Sequence, residues 1–258
     1  MSYLPIEDYG IIGDTKSVAL VGVNGSIDWF CYPRFDSPSV FGSLIDEHKG
    51  GFFKICTRNR EVTTKQLYWP ETNVLLTRLL SPEGVAEVID YMPVVGFPGS
   101  AAGGSKLVRR VTVVRGSVRF MLQCYPSFDY GRSTHHTEVQ DDGAVFQSDG
   151  LTLGLASPVA LESEDGTKAN AEVPGPGVRA EFTLGEKETA TFVLQETEPG
   201  AGCGIGLSEE ESEALFERTV EYWRNWVSQC TYRGRWREMV VRSALVLKLL
   251  TYSPTGAI

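Results

Sequence analysis

Up to about residue 196, apolar and polar residues alternate with period two, and turn signals break the alternation at short intervals. In VALVGVNGSIDWFCY, Asn24-Gly25 separates two alternating runs, which predicts a hairpin with a type I′ turn, since both residues tolerate positive φ. The same logic predicts hairpins at Pro82-Glu83-Gly84, between VLLTRLL and VAEVIDYM, and at Arg115-Gly116-Ser117, between KLVRRVTVV and VRFMLQCY. Another is predicted at Asp149-Gly150, between AVFQ and LTLGLA, with Leu151, Leu153 and Leu155 on one face of the strand that follows. Roughly a dozen strands at hairpin spacing, with almost no helical period between them, predict an all-antiparallel sandwich or barrel, and the length favours a large two-sheet sandwich. A short helix is expected over VFGSLID, where Ser37 stands as N-cap before Pro38.

Beyond residue 196 the pattern changes. EPGAGCGIGL is Gly-rich and aperiodic, so it reads as a linker. Ser208 with Glu211 three residues on forms a capping box, and Leu215, Phe216, Thr219, Tyr222, Trp223, Trp226, Val227 and Cys230 fall on one helical stripe. A second helix is predicted over about Arg235 to Tyr252, with apolar residues around nearly its whole circumference. The rest of the chain offers this helix no obvious partner. The sequence therefore divides into a β domain (1–196), a linker with its helix (197–233) and the start of a further domain (234–258), and the chain is expected to be the front part of a longer protein. Left in water, so many apolar side chains should drive association, and a homodimer through residues 235–258 is one expected outcome.

Charge and composition narrow the chemistry. A formal net charge of −9, with no run of Lys or Arg, argues against nucleic-acid or anionic-membrane surfaces. The N-terminus carries no basic segment leading into an apolar one, and no later stretch reaches the roughly 20 apolar residues of a membrane span, so a cytoplasmic location is expected. The five cysteines are odd in number and widely spaced, which suggests buried thiols rather than disulfides or a zinc site. His135 and His136 are adjacent and point apart on a strand, so neither a metal nor another cofactor is expected. Glu87 and Asp90 lie on different faces of one strand, whereas Asp141-Asp142-Gly143 and Glu164-Asp165-Gly166 read as turn chemistry.

Three long runs carry a resemblance. NGSIDWFCYPRFDSPSVF, TNVLLTRLLSPEGVAEVIDYMP and WRNWVSQCTYRGRWREMVVRSALVLKLLTYSPTGAI are similar to the N-terminal part of bacterial and archaeal glycoside hydrolase family 15 enzymes, the glucoamylases and trehalases. The resemblance implies an N-terminal β-supersandwich joined by a linker helix to an (α/α)6 barrel, whose first helix is the second helix here. It also implies inverting hydrolysis of α-glucosidic bonds by two carboxyl groups, typically ~6.5–9.5 Å apart, both lying in the barrel beyond Ile258. The partner implied is an α-glucosidic oligosaccharide or trehalose.

Within that frame FCYPRFDSPS is the candidate site. Strand alternation puts Asp28, Phe30 and Tyr32 on one face, with Ile27, Trp29 and Cys31 on the other, and Arg34 and Asp36 follow in an extended segment. Asp28, Trp29, Tyr32, Arg34 and Asp36 are expected at the barrel interface or the substrate rim, where rings stack on sugars and charged groups bond hydroxyls. The competing reading is an Arg34 to carboxylate bridge that merely fastens the hairpin. The echo CYPSFDYGR has unrelated flanks, so it reads as a second proline-directed strand exit that carries Asp129 and Arg132 to the same edge. Trp223 and Trp226 are expected to pack between the domains. Two other readings stay open: a stand-alone α-glucan-binding module, and an enzyme resembling a sugar epimerase, which would need a His and a Glu converging in the sandwich groove.

Overall fold

A computed structural model describes residues 3–94, 105–165 and 173–258. Its strands follow in chain order as β1 (Tyr9–Gly13), β2 (Val18–Gly22), β3 (Ser26–Cys31), β4 (Ser39–Phe41), β5 (Phe52–Thr57), β6 (Thr63–Tyr68), β7 (Leu75–Ser81), β8 (Gly84–Tyr91) and β9 (Lys106–Tyr125). After a tight turn, α1 (Phe128–Gly131), come β10 (His135–Gln140), β11 (Gly143–Ser148), β12 (Leu151–Ala156), β13 (Glu162–Glu164), β14 (Gly177–Gly185) and β15 (Thr189–Glu196). Two helices close the chain, α2 (Glu209–Val227) and α3 (Arg237–Leu250). The mainly β antiparallel architecture with two C-terminal helices is as the sequence pattern predicts.

Strand β9 organises everything else. Its first half pairs with β8 and β15, and the second half pairs with β5 and β14. One strand thus serves two layers: β13, β14, β5, β3, β2 and β1 with β4 beside β3, and β6, β7, β8, β15, β12, β11 and β10. The predicted hairpin at Arg115-Gly116-Ser117 does not form, because the chain runs straight through it. Gly116 has φ of +81, and a Cβ there would lie 2.3 Å from the Glu83 carbonyl oxygen, so glycine serves a kink between the layers instead of a turn.

Other local expectations divide by the same logic. The hairpins at Pro82-Glu83, Asp141-Asp142 and Asp149-Gly150 form. The β2–β3 hairpin forms too, but its connection is Val23–Gly25, and of Asn24 and Gly25 only Gly25 has positive φ. That replaces the expected type I′ turn with a three-residue loop. Residues of VFGSLID make the short strand β4 against β3 instead of a helix. Pairing to β3 outweighs the Ser37-Pro38 capping signal. Of the Glu164-Asp165-Gly166 stretch, Gly166 lies outside the described residues; Glu164 ends β13, where it accepts a 2.5 Å hydrogen bond from Tyr125 Oη.

The core lies between the layers, where Ile12, Phe30, Phe41 and Phe53 meet Leu75, Val111, Phe146 and Phe192. Through it runs a buried ion pair. Arg109 and Asp90 are both fully buried, with Nε to Oδ1 at 2.8 Å. The same guanidinium donates to Phe53 O (2.6 Å) and Gly25 O (2.8 Å) in the opposite layer, which ties the layers together.

The second layer is covered on its outer face as well. There α2 packs Leu215, Phe216 and Val220 against Val74, Leu76, Tyr91, Val108 and Val193, and the Ser208/Glu211 capping box opens the helix as expected. The Gly-rich connection is not a free tether. Cys203 is buried, its amide bonds Gln140 Oε1, and its backbone passes so close to Gly154 that a Cβ there would sit 2.1 Å from the Cys203 carbonyl oxygen. The second helix also finds a partner within the chain, contrary to the sequence reading. Val241, Leu245 and Leu249 pack on Trp223 and Val227 and reach Ile11 and Val18. On the other side of α3, Trp236, Met239 and Leu247 are exposed. No helix among the described residues is long and apolar enough to cross a membrane.

Candidate functional site

The candidate residues sit where β3 breaks its regular register. Leu20 pairs with Trp29 but Val21 pairs with Ile27, so Asp28 is the extra residue of a β-bulge. The bulge defeats the alternation expected for this strand: Ile27, Phe30 and Tyr32 all belong to the core, while Asp28 and Trp29 are partly exposed. Asp28 is held by three hydroxyls, from Tyr9 (2.8 Å), Ser26 (2.5 Å) and Ser43 (3.0 Å). It fastens the N-terminal strand and the segment after β4 onto β3. Tyr32 corrects the expectation of a rim residue: it is buried, and its hydroxyl donates to Ser105 O (2.7 Å) and accepts from Glu196 N (3.3 Å).

Past Pro33 the chain leaves the sheet and presents charge to solvent. Arg34 and Asp36 pair at 3.2 Å (Nε to Oδ1) while 57% and 79% exposed, so the pair contributes little to folding and remains accessible to other partners. Their loop is nevertheless fixed. Ser37 N donates to Arg34 O, and Phe35 N to Lys16 O (2.8 Å). The Phe35 ring meets Tyr252 edge-on at 6.0 Å, just beyond α3, and Ser253 N donates to Thr15 O. Three distant segments therefore converge: the β1–β2 turn, the Arg34 loop and the residues after α3.

The echo CYPSFDYGR is a strand exit, as its proline, Pro126, suggests: β9 ends at Tyr125, just as β3 ends at Cys31 before Pro33. Ser127 N donates to Val40 O, which brings the turn beside β4. Asp129 and Tyr130 then take left-handed φ values of 51 and 57, followed by Gly131 at 76. The turn sets the Tyr130 ring 6.4 Å from Trp29, and Arg132 pairs with Asp129 (2.8 Å) while its guanidinium lies 5.5 Å from the Tyr130 ring. Through Tyr130 the turn thus meets β3 at Trp29, with Asp129 and Arg132 paired beside that ring. Tyr130, which follows Asp129, carries no periodic signal that sequence reasoning could have used.

A cleft of about 960 Å³ opens elsewhere, between the β6–β7 connection and α3. Arg237 pairs with Glu71 (2.9 Å) across it, and the Arg242 guanidinium lies 3.8 Å from the Tyr68 ring while donating to Thr72 O and Asn73 Oδ1. These arginines are spent on binding α3 to the sandwich. Trp223 is fully enclosed in that interface and Trp226 is partly so. Among the described residues no group of three or more His, Cys, Asp and Glu side chains could hold a metal ion.

His135 and His136 point apart as expected, and His135 is buried between Phe128 and Phe146 with Nε2 3.0 Å from Pro176 O. Burial holds its pKa below the usual imidazole value. The folded state therefore keeps His135 neutral, while the unfolded chain takes up a proton below about pH 6.5, so stability is lost as pH falls through that range. Urea midpoints should drop more steeply between pH 7 and pH 5 for the native chain than for His135→Phe; equal slopes would refute the assignment.

The family model described as "Trehalase-like, N-terminal" matches residues 2–198. The chain is 30% identical to a trehalase of Thermoplasma volcanium, covering 98% of this chain and 39% of that one. It is 31% identical to a trehalase of Thermoplasma acidophilum, with 92% and 39% covered. With a trehalase of Mycolicibacterium smegmatis it shares 30% identity, covering 98% and 39%. The chain spans about two fifths of the length of these relatives, 39% in each case.

Proposed function

The chain belongs to the trehalase-like N-terminal family, and from that premise we propose that it is the supporting β-sandwich domain of an inverting α-glucosidic hydrolase of glycoside hydrolase family 15. In this reading α3 is the first helix of an (α/α)6 barrel that carries the general acid and general base, and the sandwich holds the barrel and forms one wall of its mouth. The trehalase relatives favour trehalose, or a similarly linked glucoside, as the substrate. A cytoplasmic location is part of the same proposal.

One observation carries the reading. The exposed Arg34 and Asp36 stand on a loop locked to Tyr252 beyond α3, at the place where the chain passes toward any further domain. A charged pair there costs the sandwich little and faces the barrel. The exposed apolar side of α3, with Trp236, Met239 and Leu247, supports it, because burying each such side chain stabilises by roughly 1.5–3 kcal/mol and a following helix would cover them.

The test has two arms. The 258-residue chain alone should release no glucose from trehalose, maltose or starch, whereas its fusion to the remaining part of the Thermoplasma acidophilum trehalase should. In that fusion Arg34→Ala should lower kcat/KM about ten-fold, equivalent to ~1.4 kcal/mol of transition-state stabilisation, with an unchanged unfolding midpoint. Turnover by the chain alone at the rate of the fusion would overturn the proposal.

A further inference from the structure

We propose that Trp29 and Tyr130 form a binding platform for a neutral glucosyl unit on the sandwich itself, flanked by the Asp129–Arg132 pair. The proposal deepens the reading given above and rests on it for the identity of the sugar.

Two separate departures from regular structure build this patch. The β-bulge at Asp28 displaces the alternation of β3 and leaves both Asp28 and Trp29 partly exposed, with Ile27 and Phe30 buried on either side of them. On the other side, Asp129 and Tyr130 both occupy the left-handed region, at φ 51 and 57, which costs non-glycine residues energy. This conformation leaves Tyr130 46% exposed, with its hydroxyl hydrogen-bonded to the Cys31 side chain of β3. It places the ring beside Trp29, with centroids 6.4 Å apart and planes inclined at 45°. The two rings make an open, angled apolar ledge of the kind that takes the C–H face of a pyranose.

The polar groups at the ledge select the ligand's charge. Asp129 Oδ1 accepts from Arg132 Nη2 at 2.8 Å, with 37% and 69% of the two side chains exposed. As a pair they are neutral overall, yet they still offer acceptor lone pairs and guanidinium N–H donors to solvent. This combination suits hydroxyls and gives no net attraction to a phosphate or a carboxylate. The turn is also pinned from behind, since Ser127 Oγ donates to Lys49 O and Ser133 N to Phe128 O. A ledge held this firmly loses little freedom on binding.

Titration of the whole 258-residue chain with maltohexaose, followed by saturation-transfer NMR and tryptophan fluorescence, tests the assignment. Saturable binding is expected, with at least ten-fold weakening in Tyr130→Ala and in Trp29→Ala, and little change in Trp236→Ala, an exposed residue just before α3. Because Trp29→Ala removes a partly buried ring, Tyr130→Ala and Arg132→Ala serve as the variants that leave the fold undisturbed. Glucose 6-phosphate should not compete. Absence of binding, or binding unaffected by Tyr130→Ala, overturns the platform; the loop-and-barrel reading then stands or falls on Arg34→Ala in the longer enzyme. Concentration-dependent self-association that Tyr130→Ala abolishes would equally overturn it, by showing a second copy to be the occupant.

Discussion

Replacing Arg109 by alanine should cost the fold about 3–5 kcal/mol, because it strands the fully buried Asp90 carboxylate without its counter-charge. Against a total stability of roughly 5–15 kcal/mol for a domain, that loss takes the protein close to unfolding. The effect is large because Arg109 acts across both layers: it pairs with Asp90 of β8, donates to Phe53 O of β5 and to Gly25 O of the β2–β3 loop, and lies 4.8 Å from the Phe53 ring. Asp90→Asn should be damaging for the reciprocal reason. The double variant Asp90→Leu/Arg109→Met should recover more than half of the loss, since a buried ion pair often exchanges for apolar side chains at little cost. Urea denaturation measures all three. If the double variant lost as much as the sum of its own single components, Asp90→Leu and Arg109→Met, the pair would not be coupled and the cross-layer hydrogen bonds alone would matter.

The second large effect concerns the helical end. Trp223→Ala should cost about 3–5 kcal/mol, the range for removing a large buried aromatic side chain. Here the loss should be local. Trp223 and Val227 form the floor on which Val241, Leu245 and Leu249 rest, whereas the sandwich core is a separate cluster. Helix α3 should therefore undock while the sandwich remains folded. Hydrogen exchange should rise throughout residues 237–250, and trypsin should cut at Arg235 and Arg237 under conditions that leave the native chain whole. Unchanged protection of α3 would show that the contacts of Asn73, Arg242 and Glu71 hold the helix without the tryptophan. In the longer enzyme proposed here, the same variant would loosen the sandwich from its barrel.

Much of this architecture is legible in single stretches. The Ser208/Glu211 capping box works over three residues, and the α2 stripe follows from 3.6 residues per turn, so both are found by reading one segment. The hairpins at Pro82-Glu83 and Asp149-Gly150 are equally local. Gly116 shows where such reading fails. A glycine with positive φ serves a tight turn or a kinked strand equally well, and only the strands pairing on either side, β8 and β15 in one layer and β5 and β14 in the other, choose between them.

The site divides in the same way. Arg34 and Asp36 were readable as charged residues in an extended segment beyond the strand, because proline ends pairing before them, and their bridge was the competing reading of that segment. The burial of Tyr32 and the three hydroxyls on Asp28 were not readable, since a bulge shifts the register and the donors come from residues as distant as Tyr9 and Ser43. Tyr130 was missed because a left-handed non-glycine residue leaves no pattern.

By itself the sequence determined the strand and helix periods, the capped start of α2, the proline exits after β3 and β9, and the kinship carried by its long shared runs. Tertiary structure alone decided that one strand would serve two layers, that α3 would find a partner in Trp223, and that two proline exits far apart in the chain would bring Trp29 and Tyr130 together. Those outcomes rest on contacts between residues tens to hundreds of positions apart, whose free energies depend on which surfaces meet and leave no local period to be read.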